Sequence, residues 1–208
     1  MFLDALMPPR ERSARTKERT ASDIPLEVVA HELLGAQVTT LMDYRNEAVQ
    51  DLIRALKYDR SAHAAKLAAD LLADYLREEI ASLRPFSTKR ILLVPVPLHK
   101  SRLRERGYNQ IEFVLQALPK EFRDGSLSAL ALGALARTRP TPHQTKLNRA
   151  ERIKNIAGAF ACPDAEAIKN THILLIDDVT TTGATLLHAG KPLSKNGAEV
   201  TLLALARA

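Results

Sequence analysis

Two acidic residues, three threonines and a glycine make up the part of this sequence best suited to chemistry. They lie in Ile173 to Leu187, ILLIDDVTTTGATLL, where four aliphatic residues precede Asp177 and Asp178, and Thr180 to Thr182 precede Gly183. Backbone N–H groups at a helix start attract phosphate, threonine hydroxyls donate to phosphate oxygens, and glycine allows close approach of the backbone. The carboxylates suit sugar hydroxyls or a metal ion. The pattern therefore predicts a site for a phosphorylated sugar.

The alternative is an ordinary strand–turn–helix connection in which one threonine caps the helix. An N-cap uses a single hydroxyl, whereas this turn contains two acids and three threonines. We therefore favour ligand binding.

A second polar segment follows the aliphatic run Ile91 to Val96. Pro95 and the next proline cannot donate to a sheet, so we expect the strand to end near Val94 and an irregular turn to cover His99 to Gln110. Three arginines alternate in this turn and share one side if it is extended. A guanidinium group can donate two parallel hydrogen bonds to the oxygens of one phosphate. The alternative is a solvated basic helix or loop.

The elements that position these residues alternate between strand and helix. The hydrophobic patterns predict helices at 25–34, 46–56, 62–83, 110–118, 148–156 and 184–195, and strands at 38–42 (an edge strand), 91–94, 173–176 and 199–205. The apolar residues of 124–136 fit neither the helical nor the strand period. This order predicts an α/β fold: a central, mainly parallel sheet flanked by helices. Ligands bind beyond the carboxyl ends of such strands, so both polar segments can share one cleft.

Composition and charge restrict the class of protein. The chain has 208 residues, a net charge of +6 and one cysteine, so an anionic partner is favoured and a disulfide framework is excluded. No apolar run approaches a membrane span, and no secretory pattern is present. We expect a cytoplasmic protein with a flexible basic tail at residues 1–24, one domain at residues 25–208, and a small N-terminal hood within it.

Several segments together resemble a known family. DDVTTTGAT is similar to the phosphoribosyl-pyrophosphate (PRPP) motif of type I phosphoribosyltransferases. The segments RALKY, VPVPLHKSRLRERGYNQ and RTRPTPHQTKLNRAERIKNIAGAF make the chain, from about Tyr44 to its end, resemble the ComF-type family of that superfamily.

The resemblance implies roles for individual residues. Asp177 and Asp178 would be the catalytic pair that holds the ribose hydroxyls and a Mg²⁺ ion. The 5′-phosphate would lie on Thr180, Thr181, Thr182, Gly183, Ala184 and Thr185, and the pyrophosphate on His99, Lys100, Arg102, Arg104 and Arg106. A mobile lid would contribute Gln144, Lys146, Arg149 and Arg152.

The implied function is Mg²⁺-dependent transfer of ribose 5-phosphate from PRPP to an acceptor that the sequence does not identify, with release of pyrophosphate. The alternative is a non-catalytic PRPP- or nucleotide-binding protein, or an accessory protein of DNA uptake that contacts single-stranded DNA. Scattered aromatic residues argue against a stacking platform for DNA. The oligomeric state, monomer or homodimer, stays open.

Two positions depart from the family pattern. Thr181 stands where purine-specific members carry an acid that handles a base proton, so the motif supplies no general base. Residues Phe2 to Arg10 resemble a leader that a Cys-rich zinc module usually follows, but the zinc cysteines are absent. We expect no structural zinc.

Overall fold

A six-stranded sheet forms the centre of the protein, and the predicted fold class is confirmed. The computed structural model describes residues 14–139 and 156–208. The strands of the sheet are β1 (Val29–Leu33), β2 (Ala36–Asp43), β3 (Arg90–Pro95), β4 (Ala129–Leu130), β7 (Thr171–Thr180) and β8 (Glu199–Arg207); β5 (Ala136–Arg137) and β6 (Phe160–Ala161) form a separate pair. The strand order is β1-β2-β8-β7-β3-β4, with β1 antiparallel to β2 and every other neighbouring pair parallel.

Helices cover both faces of this sheet. They are α1 (Glu47–Tyr58), α2 (Ala62–Leu83), α3 (Lys100–Arg106), α4 (Gln110–Gln116), α5 (Ala165–Ile168) and α6 (Ala184–Lys195). The predictions for α1, α2, α4 and α6 are confirmed. Asn46, Ser61 and Asn109 begin the first, second and fourth helices by accepting backbone N–H groups with their side chains, as N-cap residues do.

Side-chain alternation along the central strands creates two apolar cores. Leu174 and Ile176 face α1, α2 and α4, whereas Ile173 and Leu175 face α6 on the other side. Because successive side chains of a strand point to opposite faces, a strand buried on both sides is continuously apolar. This is the aliphatic run that precedes the acidic pair.

The N-terminal hood, residues 25–42, differs from the prediction of a helix at 25–34. Residues Val29–Leu33 form an antiparallel hairpin with β2 instead. Leu34 and Gly35 make its turn with φ of 55° and 75°, and two residues with positive φ give the tight turn that matches strand twist. The strand predicted at 38–42 is confirmed as β2, but it lies between β1 and β8 rather than at the sheet edge.

Residues 14–24 also depart from the predicted flexible tail. Arg15 and Arg19 contact the fully buried carboxylate of Asp51 at 3.3 and 2.9 Å, and Ile24 is buried in the core. A buried carboxylate requires cationic or hydrogen-bonding partners. This segment therefore packs on α1 despite its lack of an apolar period. Among the described helices, none combines the length and apolarity needed to span a membrane.

Candidate functional site

The acidic pair lies on a part of β7 that extends beyond its neighbour. The pairing of β7 with β3 ends at Ile176, opposite Pro95, whereas its pairing with β8 continues to Thr180. β7 therefore continues through the two acids, whereas the sequence predicted a strand that ends before them. Asp177 and Asp178 occupy successive strand positions, so their side chains leave opposite faces of the sheet.

Asp178 is held on the face that carries α1 and α4. Its Oδ2 atom lies 3.1 Å from Nζ of Lys57, at the end of α1. The same oxygen accepts a hydrogen bond from the side-chain amide of Gln110, the first residue of α4. Gln110 in turn accepts from the guanidinium of Arg106. The cation and the amide donor therefore replace the water that this buried carboxylate lacks.

Burial alone would lower the pKa of Lys57, but the carboxylates of Asp178 and Asp177 and the Tyr44 hydroxyl more than offset this and raise it. Lys57 is therefore an ammonium ion near neutral pH. It supplies a fixed positive charge beside the acidic pair.

Asp177 faces the other side of the sheet. Burial, together with the negative charge of Asp178, raises its pKa to about 7. The hydrogen bond from the Asp178 amide to Oδ1 of Asp177, at 2.9 Å, and the cations Lys57 and Arg137 act in the opposite direction but do not cancel the rise. The rise follows from the loss of water around the Asp177 carboxyl and from the negative charge beside it.

The threonine loop connects β7 to the N-terminus of α6. The hydroxyl of Thr180 accepts the N–H of Gly183 at 3.2 Å, and that of Thr182 accepts the N–H of Ala184 at 3.4 Å. Gly183 has φ of 76°. A Cβ atom there would come within 2.7 Å of the Cβ of Leu33 in the hood hairpin. Glycine is therefore required both by backbone conformation and by the hairpin packed against the loop.

The outer surface of this loop suits an anion. Thr181 is exposed and Thr182 and Thr185 are half-buried, while α6 continues for 12 residues behind them. The positive end of a helix dipole and the hydroxyls thus lie together. The 5′-phosphate position at this loop stays a prediction.

The predicted pyrophosphate turn is a helix. Residues Lys100–Arg106 form α3, capped by His99, whose Nδ1 accepts the N–H of Ser101 at 3.2 Å. In a helix, residues four apart share a face and residues two apart do not. Arg102 and Arg106 are therefore on one side, half-buried, whereas Arg104 and Lys100 are exposed. The three arginines were expected to share one side only if the segment is extended; it forms a basic helix, which was the alternative, and so they do not.

The residues after α3 fix the helix to the site. Gly107 ends α3 with φ of 82°, and the hydroxyl of Tyr108 donates to the carbonyl oxygen of Leu56 at 2.5 Å. Asn109 begins α4 and also donates to the carbonyl oxygen of Val96 at 3.0 Å. Tyr108, Asn109 and Gln110 thus join the end of α1, the residue after β3 and the start of α4 around Asp178.

The sequence did not identify three residues near the acidic pair, two cations and one amide: Lys57, Arg137 and Gln110. Lys57 and Gln110 lie within RALKY and GYNQ, segments already noted for their resemblance to a family. Arg137 lies at the end of a segment with no clear period. Its guanidinium packs over the Phe160 ring, 5.3 Å from the centroid, and burial and the charge of Arg102 lower its pKa, against the effect of Asp177. The predicted lid residues Gln144, Lys146, Arg149 and Arg152 lie outside the described residues.

The fold and site define an α/β protein whose parallel sheet carries an acidic pair and a threonine loop at its carboxyl edge. Competence protein ComFC of Streptococcus pneumoniae (strain ATCC BAA-255 / R6) is 29% identical over 168 residues, 81% of this chain and 66% of that protein. DNA utilization protein YhgH of Escherichia coli (strain K12) is 30% identical over 163 residues, 78% and 67% of the two chains. The chain belongs to the ComF-type family that these relatives represent.

This chain spans about two thirds of the length of these two curated relatives. Competence protein F of Haemophilus influenzae is 33% identical over 118 residues, 56% of this chain and 50% of that protein. No protein-family model matches the chain. A solved phosphoribosyltransferase from Corynebacterium diphtheriae aligns over 93% of this chain and 80% of its own, with a TM-score of 0.35 and 18% identity.

Proposed function

We propose that this protein binds PRPP and transfers its ribose 5-phosphate to an acceptor, with release of pyrophosphate. The observation that carries the proposal is the joining of three groups at the carboxyl edge of β7. These are the acidic pair, the threonine loop that follows it at a helix start, and the half-buried guanidinium groups of α3. Lys57 and Gln110 both contact Asp178, and Gln110 also accepts a hydrogen bond from Arg106. Sugar hydroxyls, a monophosphate and a pyrophosphate match these three groups.

Each part of the site has a distinct task in this proposal. The loop from Thr180 to Thr185 binds the 5′-phosphate, and Asp177 and Asp178 orient the ribose hydroxyls. Arg102 and Arg106 bind the pyrophosphate and stabilise the charge that develops as the bond at the anomeric carbon breaks. Lys57 and Gln110 act through Asp178, and we assign them as positioning residues.

The donor set fits a magnesium ion that is shared with the ligand. Mg²⁺ is commonly bound by one or two carboxylates, with phosphate oxygens and waters completing its octahedron. Because the side chains of Asp177 and Asp178 leave opposite faces of β7, one of the two carboxylates would bind the ion directly. No group of three or more metal-ligating residues occurs among the described residues, so ligand oxygens and waters would have to complete the shell. When bound, the ion would neutralise charge on the leaving pyrophosphate.

Calorimetry with PRPP, in the presence and absence of Mg²⁺, tests the proposal. The expected result is binding at micromolar to low millimolar PRPP that weakens at least about tenfold in Asp178→Asn, since a charge-assisted hydrogen bond contributes roughly 1.5–3 kcal/mol. Asp70→Asn, at a surface ion pair on α2, is the matched control and should bind normally. Absence of binding by the wild-type protein at millimolar PRPP would contradict the proposal.

A second candidate is a non-catalytic accessory role in DNA uptake or use. Two relatives carry the name competence protein and another the name DNA utilization protein, and the net charge of +6 favours an anionic partner. Single-turnover assays with PRPP distinguish the candidates. Pyrophosphate release supports the transferase, whereas PRPP binding with no release in the presence of candidate bases and amines supports the accessory role.

A further inference from the structure

A basic cleft lies at the opposite end of the sheet from the acidic pair. It has a volume of about 350 Å³ and is lined by the end of α2, the start of β3 and the loop before β4. The lining residues are Arg84, Ser87, Thr88, Lys89, Arg90, Ile91, Gly125, Leu127 and Ser128. Of these described lining residues, three are cations, three carry hydroxyls and none is acidic. An anionic ligand is the chemistry that such a lining fits.

The cations of this cleft are held in place by the surrounding structure. Arg84 donates to the carbonyl oxygen of Ser126 and Arg90 to that of Ala167, each at 2.9 Å. Lys89 pairs with the exposed Glu199. A guanidinium has five N–H donors, so a single bond to a carbonyl orients the group and leaves further donors for a phosphate. The three cations and the absence of an acidic residue among the described lining residues give the lining a positive charge.

An exposed aromatic residue adjoins the lining residues of the cleft along the chain. Phe86 is 91% exposed, the largest exposure among the large apolar side chains of the described residues. It lies between Arg84 and Ser87, both of which line the cleft. Cations and an exposed ring together form the kind of surface on which a nucleotide binds, with its base stacked on the ring and its phosphate on the cations.

This cleft is distinct from the site proposed for PRPP. Arg90 is in register with Thr171, at the start of β7, and Asp178 lies seven residues further along the strand, about 23 Å away at the usual rise. A single PRPP molecule cannot reach both ends of the sheet. A ligand of this cleft is therefore a second ligand, or a longer chain of nucleotides.

We propose that the cleft formed by Arg84, Lys89 and Arg90 beside Phe86 is a second binding site, which takes a nucleotide unit through its phosphate and its base. The unit comes either from a free mononucleotide or from a single strand of nucleic acid. The cleft would contact the same phosphate and base in both cases, and a mononucleotide probe and an oligonucleotide probe distinguish the two sources.

Two probes and two variants test this site. The probes are thymidine 5′-monophosphate, measured by calorimetry, and a fluorescein-labelled oligothymidylate of about twelve nucleotides, measured by anisotropy at about 50 mM and about 200 mM salt. Phe86→Ala and Arg84→Gln/Arg90→Gln should each weaken binding roughly tenfold. The arginine variant should also reduce the salt slope by about 0.7 for each phosphate that it no longer neutralises. Binding of both probes assigns the nucleotide unit as the ligand, and binding of the oligonucleotide alone assigns the strand.

Controls separate this site from general charge and from the PRPP site. Lys66→Gln removes an exposed cation elsewhere on α2, and Tyr58→Ala removes a half-exposed ring at the other end of the sheet. Neither should change binding of the probes. Asp178→Asn should weaken PRPP binding and leave the oligonucleotide affinity unchanged. Urea unfolding of each variant verifies that it is folded.

The proposal is overturned if wild-type protein binds neither probe, if Phe86→Ala binds as tightly as wild type, or if Lys66→Gln weakens binding as much as the arginine variant. It is also overturned if Asp178→Asn or Tyr58→Ala abolishes oligonucleotide binding, because the strand would then lie at the carboxyl edge. None of these results decides the PRPP proposal, which is tested separately by calorimetry with PRPP.

Discussion

Nζ of Lys57 lies 3.1 Å from Oδ2 of Asp178, and both side chains are largely buried, with 21% and 10% exposure. This pair joins the end of α1 to the acidic segment of β7. It places a permanent cation where ribose and Mg²⁺ are expected to meet the protein. The acidic pair is therefore less negative than its sequence suggests, and Asp178 is oriented before any ligand arrives.

Replacing Lys57 should be costly to stability. Lys57→Met leaves the Asp178 carboxylate buried beside the Gln110 amide without its cation, and we expect the free energy of unfolding to fall by about 2 kcal/mol, less than for a fully buried pair. Urea denaturation measures this change. Lys66→Met, which breaks the exposed pair with Asp70, should change stability by no more than about 0.5 kcal/mol. Equal losses in the two variants would contradict the role of burial, and Lys57→Met/Asp178→Asn should recover part of the loss.

The raised pKa of Asp177 predicts how stability depends on pH. Between the ordinary aspartate pKa and the raised value, the native state holds a proton that the unfolded state has released, so stability falls as pH rises through this window. Asp177→Asn removes the effect. The variant should therefore gain stability relative to wild type as pH rises from about 4 to about 8, measured by urea unfolding at several pH values.

Asp43→Asn gives the opposite sign and serves as the control. Hydrogen bonds from Arg45 lower the pKa of Asp43, so its contribution to stability is present above the ordinary aspartate pKa and is lost as pH falls. The Asp43→Asn protein should lose stability relative to wild type near neutral pH, and that loss should fade in acid. A pH-independent difference for Asp177→Asn would refute the raised pKa.

The arginines of α3 should differ in their effect on pyrophosphate binding. Arg102→Gln and Arg106→Gln remove the guanidinium groups on the half-buried side, and each should weaken inorganic pyrophosphate binding roughly tenfold, as expected when a charge-assisted hydrogen bond is removed. Arg104→Gln, an exposed change of the same type and charge, should have little effect. Calorimetry with pyrophosphate compares the three. Similar losses in all of them would favour an extended arrangement of this segment in the bound state.

Substituting two glycines that have nearly the same backbone conformation distinguishes the cost of a positive φ from the cost of a steric clash. Gly183 and Gly35 have φ of 76° and 75°, but only the added Cβ of the first would meet another atom, the Cβ of Leu33 at 2.7 Å. Gly35→Ala should cost about 1 kcal/mol from positive φ alone. Gly183→Ala should cost more in urea unfolding and should also weaken PRPP binding. Because the contact is with Cβ, adding Leu33→Ala should not restore stability, whereas Leu33→Gly should do so in part.

The sequence by itself predicted much of the fold and the position of the acidic pair and the threonine loop between a strand and a helix. The aliphatic run, the acids, the threonines and Gly183 are adjacent in the chain, and local spacing is enough to predict a strand, a loop and a helix start. The same holds for α1 and α2, whose caps and apolar periods are continuous. The hood was predicted incorrectly as a helix because pairing of β1 with β2 depends on the neighbouring sheet, which overrides local preference.

Only the tertiary structure decided which residues surround the acids. Gln110 and Asp178 are 68 residues apart in the chain, and Lys57 is further still, so no local pattern joins them. The faces of Arg102 and Arg104 likewise depended on whether their segment is helical. Contacts between distant segments are set by how the helices pack on the sheet, and that packing brought a lysine, a glutamine and two arginines to an acidic pair that the sequence alone had located.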